Sequence, residues 1–352
     1  VNARTRIGSQ GIGAPERGAA GLQFHPDIAL LSIANLLKGG VSCFGEVGYS
    51  PRDAAQVAAD QGMRALIGLP VTAHPSGWAQ NATEYLTRAL SLRDDYRGHP
   101  TIRMGFAPLR LAALADVTLA RLATLADELD AGILVSLNEM QGDIDESLAR
   151  HAVRPLARLH RLGLLTPALS ASHAAQLDPA EIELARRTGV GITLCLASDL
   201  ARGNGLPPLG SLVAAGIRLG VGSDGEHCGP GQDIWTEIKL LALHSRASSP
   251  WSVLAAATRG GAAVLGLDAE IGTLERGKWA DLCCVDLAGP AMQPLTDPLR
   301  QLAFSGGRDM VSDVWVAGRQ LVCEGRLTRL DWPALAARLA SLAASTPPGD
   351  SP

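Results

Sequence analysis

The chain has 352 residues, with 31 Lys and Arg against 35 Asp and Glu, for a formal net charge of -4. That balance excludes the basic footprint of a nucleic-acid binder or of a protein drawn to an anionic membrane. With 47% hydrophobic and 19% charged residues the chain can bury a core, and no run of about 18 apolar residues offers a transmembrane helix.

No secretory leader is recognisable. The cysteines (Cys43, Cys195, Cys228, Cys283, Cys284 and Cys323) form no C-x-x-C pair, so a reducing cytoplasm is the expected compartment. The chain opens on Val1, directly in a strand-like run, and we expect that something is missing upstream.

Residues 1–4 read as a clipped first strand. Apolar, β-branched runs follow at 41–46, 63–69, 101–107, 131–137, 168–173, 189–196 and 217–223. Segments of helical spacing lie between them, among them 80–95, 115–129, 145–161 and 178–187. Two more helices are expected at about 232–246 and 250–263. Eight β/α units predict an α/β fold, a (β/α)8 TIM barrel over 1–263. A doubly wound open sheet is the alternative, weakened because no G-x-G-x-x-G follows a strand; Gly8, Gly11 and Gly13 have the wrong spacing. From 264 to 330, short strands with glycine turns predict a partial β-sandwich, a small C-terminal appendage. Over 331–352 we expect a helix capped by Asp331, with Pro333 in its first turn, and then a frayed tail.

Chemistry on a barrel sits at the C-terminal ends of its strands. The polar residues there are Arg4 and Arg6 on strand 1, Glu46 on strand 2, Ser136 and Glu139 on strand 5 and His173 on strand 6. Strand 8 contributes Asp224, followed by Glu226, His227 and Cys228. His173 and Asp224 can both ligate a metal, but two ligands are too few for catalytic zinc, which takes three and a water. Cys43, Cys195 and the Cys283–Cys284 pair read as small core residues.

Several segments, in order, carry a resemblance: CFGEVGYSPRDAAQVAADQGMRALIGLPV, RPLARLHRLGLL before strand 6, GVGSDG at strand 8, and IGTLERGKWADLCCVDL and VSDVWVAGRQL near the end. Together they resemble the amidohydrolase superfamily, in its branch of s-triazine and purine chlorohydrolases and deaminases, which includes the methylthioadenosine/S-adenosylhomocysteine deaminases. The resemblance implies one divalent metal, usually zinc, on an H-x-H of strand 1, a His of strand 5, a His of strand 6 and an Asp of strand 8. It also implies a Glu after the strand-5 His that moves the proton of a metal-activated water.

Carried over position by position, the family's V-N-A-H-T-H reads Val1-Asn2-Ala3-Arg4-Thr5-Arg6, and its strand-5 H-x-x-E reads Ser136-Leu137-Asn138-Glu139. His173 and Asp224 stand as remnant ligands, a further family His is Gln176, and the family's A-P-H reads Ala107-Pro108-Leu109. Arginine cannot replace a ligand, because it has no lone pair to give. We expect Arg4 and Arg6 to pair with Asp224, Glu139 or Glu46 in place of the metal.

The implied activity is hydrolysis of a non-peptide C–N bond in a small-molecule heterocycle. This member is expected to be catalytically impaired and to hold no metal of its own. Two alternatives stand beside that reading. One is an active hydrolase rebuilt around His173, Asp224, His227 and Cys228. The other is a metal-free ligand-binding or regulatory pseudoenzyme, assembled as a homo-oligomer or with an active paralogue.

Overall fold

The computed structural model describes residues 2–4, 26–224, 232–245 and 249–345. Among them eight parallel strands follow one another in chain order. They are β1 (Asn2–Arg4), β2 (Cys43–Val47), β3 (Arg64–Val71), β4 (Ile102–Pro108), β5 (Ile133–Leu137), β6 (Leu169–His173), β7 (Gly191–Leu194) and β8 (Arg218–Val221). β8 comes back beside β1, which closes the sheet into the expected (β/α)8 barrel. Every residue of β2 and β3 is buried, as parallel strands covered on both faces must be.

Helices return the chain between the strands: α1 (Pro26–Lys38), α2 (Pro51–Gln61), α3 (Ala82–Asp95), α4 (Asp116–Glu128), α5 (Gln141–His151), α6 (Pro155–Arg161) and α7 (Pro179–Thr188). After β7 come α8 (Leu196–Ala201) and α9 (Leu209–Ala214), and after β8 come α10 (Ile234–His244), α11 (Pro250–Ala255) and α12 (Gly261–Val264). Local chemistry sets several ends. Asn81 accepts from the Glu84 amide at 3.0 Å to start α3. Asp178 and Glu181 form a reciprocal capping box on α7, with Pro179 in its first turn and Gly189 in the left-handed conformation at its close.

Two expected elements differ. The helix expected over 145–161 is two helices, because Ala152 turns left-handed (φ 55°) and Pro155 opens a new first turn. The segment after 264 does not enter strands at once. It crosses the barrel base in turns that use Gly266, Gly272 and Gly277 at positive φ.

The helix expected at 250–263 is present, but its middle, Ala256–Gly260, is a wider π-type turn. There the backbone presses on β8, and a Cβ on Gly260 would run into the Leu219 carbonyl. Gly260→Ala is therefore expected to cost about 1–3 kcal/mol through overpacking. A thermal unfolding midpoint equal to the wild type would refute this account of the turn.

The C-terminal portion is an antiparallel sheet of four strands in the order β12-β11-β10-β9. These are β9 (Leu282–Val285), β10 (Val311–Val316), β11 (Arg319–Cys323) and β12 (Arg326–Leu327), with α13 (Pro298–Ser305) between β9 and β10. It is one layer of the expected sandwich. The last helix, α14 (Trp332–Ser345), is capped as expected, with Asp331 accepting from the Ala334 amide at 3.0 Å. Cys43 and Cys195 are buried, and burial pushes the Cys43 thiol up to about 12. Cys283 is half-buried and packs against the core, as expected, whereas Cys284, its neighbour on β9, is exposed and does not. Among the described residues no helix is long and apolar enough to cross a membrane.

Candidate functional site

Parallel registry sets the site's floor. Ser136 on β5 lies opposite Ser172 on β6, and Leu137 lies opposite His173. Just beyond, the backbone bends sharply, with Asn138, His173 and Ala174 all at positive φ (47°, 71° and 63°). Non-glycine residues pay strain for this conformation, and neighbouring contacts must hold them there. The Ala174 amide donates to the Leu137 carbonyl and the Gln176 amide to the Asn138 carbonyl, each at 3.0 Å. Asn138 Nδ2 and Arg154 Nη2 both donate to Glu181 Oε2, at 2.8 and 2.7 Å.

The bends converge three side chains. One donor atom each from Glu139, His173 and Asp224 lies within 4.8 Å of the others, and all three residues are buried. His173 Nε2 stands 3.8 Å from Glu139 Oε2 and 3.8 Å from Asp224 Oδ2. Both separations exceed hydrogen-bond reach.

A single turn of helix orients the trio. His173 Nδ1 donates to Asp199 Oδ1 at 2.9 Å, and Ser198 Oγ donates to Asp224 Oδ2 at 3.0 Å. The Arg202 guanidinium pairs with Glu139 Oε1. Ser198 and Asp199 lie on α8, and Arg202 is the residue that ends it. At the start of α8 the Ala197 amide donates to Glu237 Oε2 of α10 at 3.2 Å. Burial alone would lower the His173 pKa. The Glu139 carboxylate, the hydrogen bond to Asp199 and the Asp224 carboxylate outweigh it and hold the imidazole above its ordinary value.

A cavity of about 240 Å³ opens above the ends of β4 and β5. Leu109, Arg110, Ser136, Glu139, Asp143 and Arg202 line it. Burial pushes the Asp143 carboxyl up. The cavity meets the buried trio through Glu139.

Of the residues expected from sequence, Glu139, His173 and Asp224 are brought together and Ser136 lies at the cavity wall. Glu46 is buried at the C-terminal end of β2. Arg4 belongs to β1, opposite Gly45. Its side chain lies outside the described residues, as do Arg6, Glu226, His227 and Cys228. The cation seen on Glu139 is Arg202, which the sequence reading did not single out. Ser198, Asp199 and Glu237 were missed as well. Residues 189–196 read as one apolar strand, whereas β7 ends at Leu194 and Leu196 already begins α8. The run Ser198-Asp199 just beyond that apolar stretch was the available clue.

The zinc donor set implied by the resemblance does not fit this site. At the end of β5 a hydroxyl takes the place of an imidazole, and Ser172 Oγ donates to it at 3.3 Å. Arginine stands at positions 4 and 6. Among the family's ligating histidine positions, His173 alone still carries an imidazole.

The family profile described as "Amidohydrolase family" matches residues 22–321. A 5-methylthioadenosine/S-adenosylhomocysteine deaminase of Teredinibacter turnerae is 34% identical over 328 residues, covering 91% of this chain and 74% of the relative. One of Saccharophagus degradans is 32% identical over 316 residues, covering 88% and 71%. Among solved structures, an adenosine deaminase from Xanthomonas campestris with bound zinc superposes with a TM-score of 0.91 at 33% identity, over 97% of this chain and 84% of that one. The zinc complex of atrazine chlorohydrolase from Arthrobacter aurescens shares the fold, with a TM-score of 0.83 at 24% identity, over 90% and 76%. The profile spans most of the barrel and much of the C-terminal sheet, and the relatives extend along nearly the whole chain: this chain belongs to the amidohydrolase family.

Proposed function

We propose that this protein derives from a C–N hydrolase of the amino-heterocycle deaminase type, and that its turnover by the family's metal-activated water is impaired. The ion pair between Arg202 and Glu139, beside Ser136, carries this reading. A general base must turn its carboxylate to the water it serves, and here the Arg202 guanidinium occupies Glu139 Oε1. At position 136 a hydroxyl replaces a strong metal ligand. The names of the deaminase relatives support an amino-substituted purine or related ring as the ligand class. The cavity lies just below the ~300–1,000 Å³ typical of drug-sized ligands, which suits one small ring compound. In this reading the chain binds such a ring and acts as a regulatory partner, to a second copy or to an active paralogue.

Ammonia release from adenosine-type and aminotriazine substrates tests the proposal. Wild-type protein is expected to give no turnover above background. The triple variant Arg4→His, Arg6→His and Ser136→His, loaded with zinc, is expected to exceed it by at least about a hundredfold. Wild-type turnover equal to that of the zinc-loaded variant would sink the impairment reading. Ligand binding without turnover is read separately, as a rise in the thermal midpoint with an amino-purine.

A further inference from the structure

We infer that the cleft between the barrel base and the C-terminal sheet is a second ligand site, built for an apolar molecule that carries one acidic group. Ser42, in its wall, immediately precedes β2 and so marks the end of the barrel opposite the cavity that Glu139 lines. The inference does not depend on what happens at the barrel mouth.

The cleft holds about 650 Å³. That is within the ~300–1,000 Å³ of drug-sized ligand sites, which favour the junctions between structural units. Its walls are apolar and come from four elements: Trp235 on α10, Trp251 and Leu254 on α11, Leu302 on α13, and Leu282 and Val285 on β9. Its floor is continuous with the core. Trp235, Ile238 and Ala257 are buried, and Cys283 and Val285 pack on the same cluster. The rim is open to water, with Trp251 53% and Leu274 82% exposed. Large apolar side chains gathered at the rim of a cleft, rather than scattered singly, mark a binding groove.

The polar lining is mostly committed elsewhere. Asp281 is held by Arg64, Glu275 faces Lys278 at 3.5 Å, and Thr258 Oγ1 donates to the Leu254 carbonyl at 3.0 Å. Arg259 is the exception. Its guanidinium carbon lies 5.5 Å from the Trp251 ring centre, and no carboxylate among the described residues pairs with it. A guanidinium stacked on an indole keeps its N–H donors free in their plane, where they suit the acidic head of a ligand whose apolar body lies inside. The π-type turn Ala256–Gly260 places Thr258 and Arg259 in this wall, and such turns recur at functional sites.

The probe is anilinonaphthalene sulfonate, added to the full-length protein, with neutral phenylnaphthylamine as its counterpart lacking the acid. Energy transfer from tryptophan to the bound probe is expected to report one saturable site per chain. Arg259→Gln is expected to weaken the sulfonate by about tenfold or more, through loss of a charge-assisted hydrogen bond, and to leave the neutral amine unchanged. Val285→Trp fills the cleft and is expected to abolish binding of both. If that variant does not fold, Leu274→Asp, at an exposed position, sets a like charge at the rim and is expected to weaken the sulfonate more than the amine. Adenine in excess is expected not to displace the probe.

No saturable binding to the wild type, unchanged sulfonate affinity in Arg259→Gln, equal losses of sulfonate and amine in that variant, or displacement by adenine overturns the assignment. None of these outcomes depends on turnover. Ammonia release by the wild type would overturn the impairment reading alone.

Discussion

Asp281→Ala is expected to destabilise the protein by about 3–5 kcal/mol, the range found when one partner of a buried ion pair is removed. Arg64 starts β3 at the base of the barrel, and Asp281 immediately precedes β9 of the C-terminal sheet. Both side chains are 2% exposed. Arg64 Nε and Nη2 donate to the two Asp281 oxygens at 3.0 and 3.1 Å, and Nη1 donates to the Pro100 carbonyl at 3.3 Å. The guanidinium carbon lies 5.7 Å from the Trp279 ring centre, a cation–π contact. Asp281 Oδ1 also accepts from the Ala317 amide at 2.8 Å, at the end of β10.

The pair is thus a polar pin between barrel and sheet, and the alanine variant leaves the buried guanidinium with the more distant Glu270 carboxylate, 3.9 Å from Nη1, as its nearest acid among the described residues. Urea unfolding measures the loss. Replacing both residues with apolar ones, Arg64→Met with Asp281→Leu, removes the buried charge. That double variant is expected to recover more than half of the loss, less what the Ala317 amide forfeits. A double variant as unstable as the single one would show that the charge is not the cause.

The second large effect is pH-dependent. Glu237 sits on α10 with 1% exposure, and burial pushes its carboxyl up to about 8 in spite of the backbone amides of Ala197 and Leu196 that donate to it. The folded protein therefore holds a proton on Glu237 across a range in which the unfolded chain, with an ordinary value of 4.5, has released it. Stability contributed by this group falls as pH rises from about 4.5 to about 8, and levels off above. At about 1.4 kcal/mol per unit, the total is on the order of a few kcal/mol.

Glu237→Gln keeps a neutral amide that accepts from the start of α8 and removes the titration. Its advantage over the wild type is expected to be small near pH 5 and to grow to a few kcal/mol by pH 8. His173 works in the same direction. Its raised value gives stability that is complete below 6.5 and is lost as pH climbs through the folded value. That slope is common to both proteins, so the difference between their unfolding curves isolates Glu237. Parallel curves from pH 5 to 8 would rule out a protonated Glu237.

The barrel was legible because its strands are written in a strong code. Buried parallel strands read as unbroken apolar runs, and the runs at 63–69, 101–107 and 168–173 fall on β3, β4 and β6 within a residue or two at their ends. Capping residues such as Asp178 and Asp331 act within a few positions of themselves, so their part could also be read locally. Glu139, His173 and Asp224 were found because short motifs at strand ends carry them.

What the linear chain could not display is which groups meet across it. Arg202 and Glu139 are 63 positions apart, and Arg64 and Asp281 are 217 apart. Ser198, Asp199 and Arg202 have helical spacing that suits any exposed face. They become site residues because β7 stops at Leu194 and α8 turns over the barrel mouth. Glu237 reads as one more polar position on an amphipathic helix until packing of α10 on α8 buries it. Residue type and local period determined the strands, the caps and the identity of the three converging donors. Long-range packing alone decided which charge sits beside which, because an electrostatic partner is set by distance in space and by the loss of water around it.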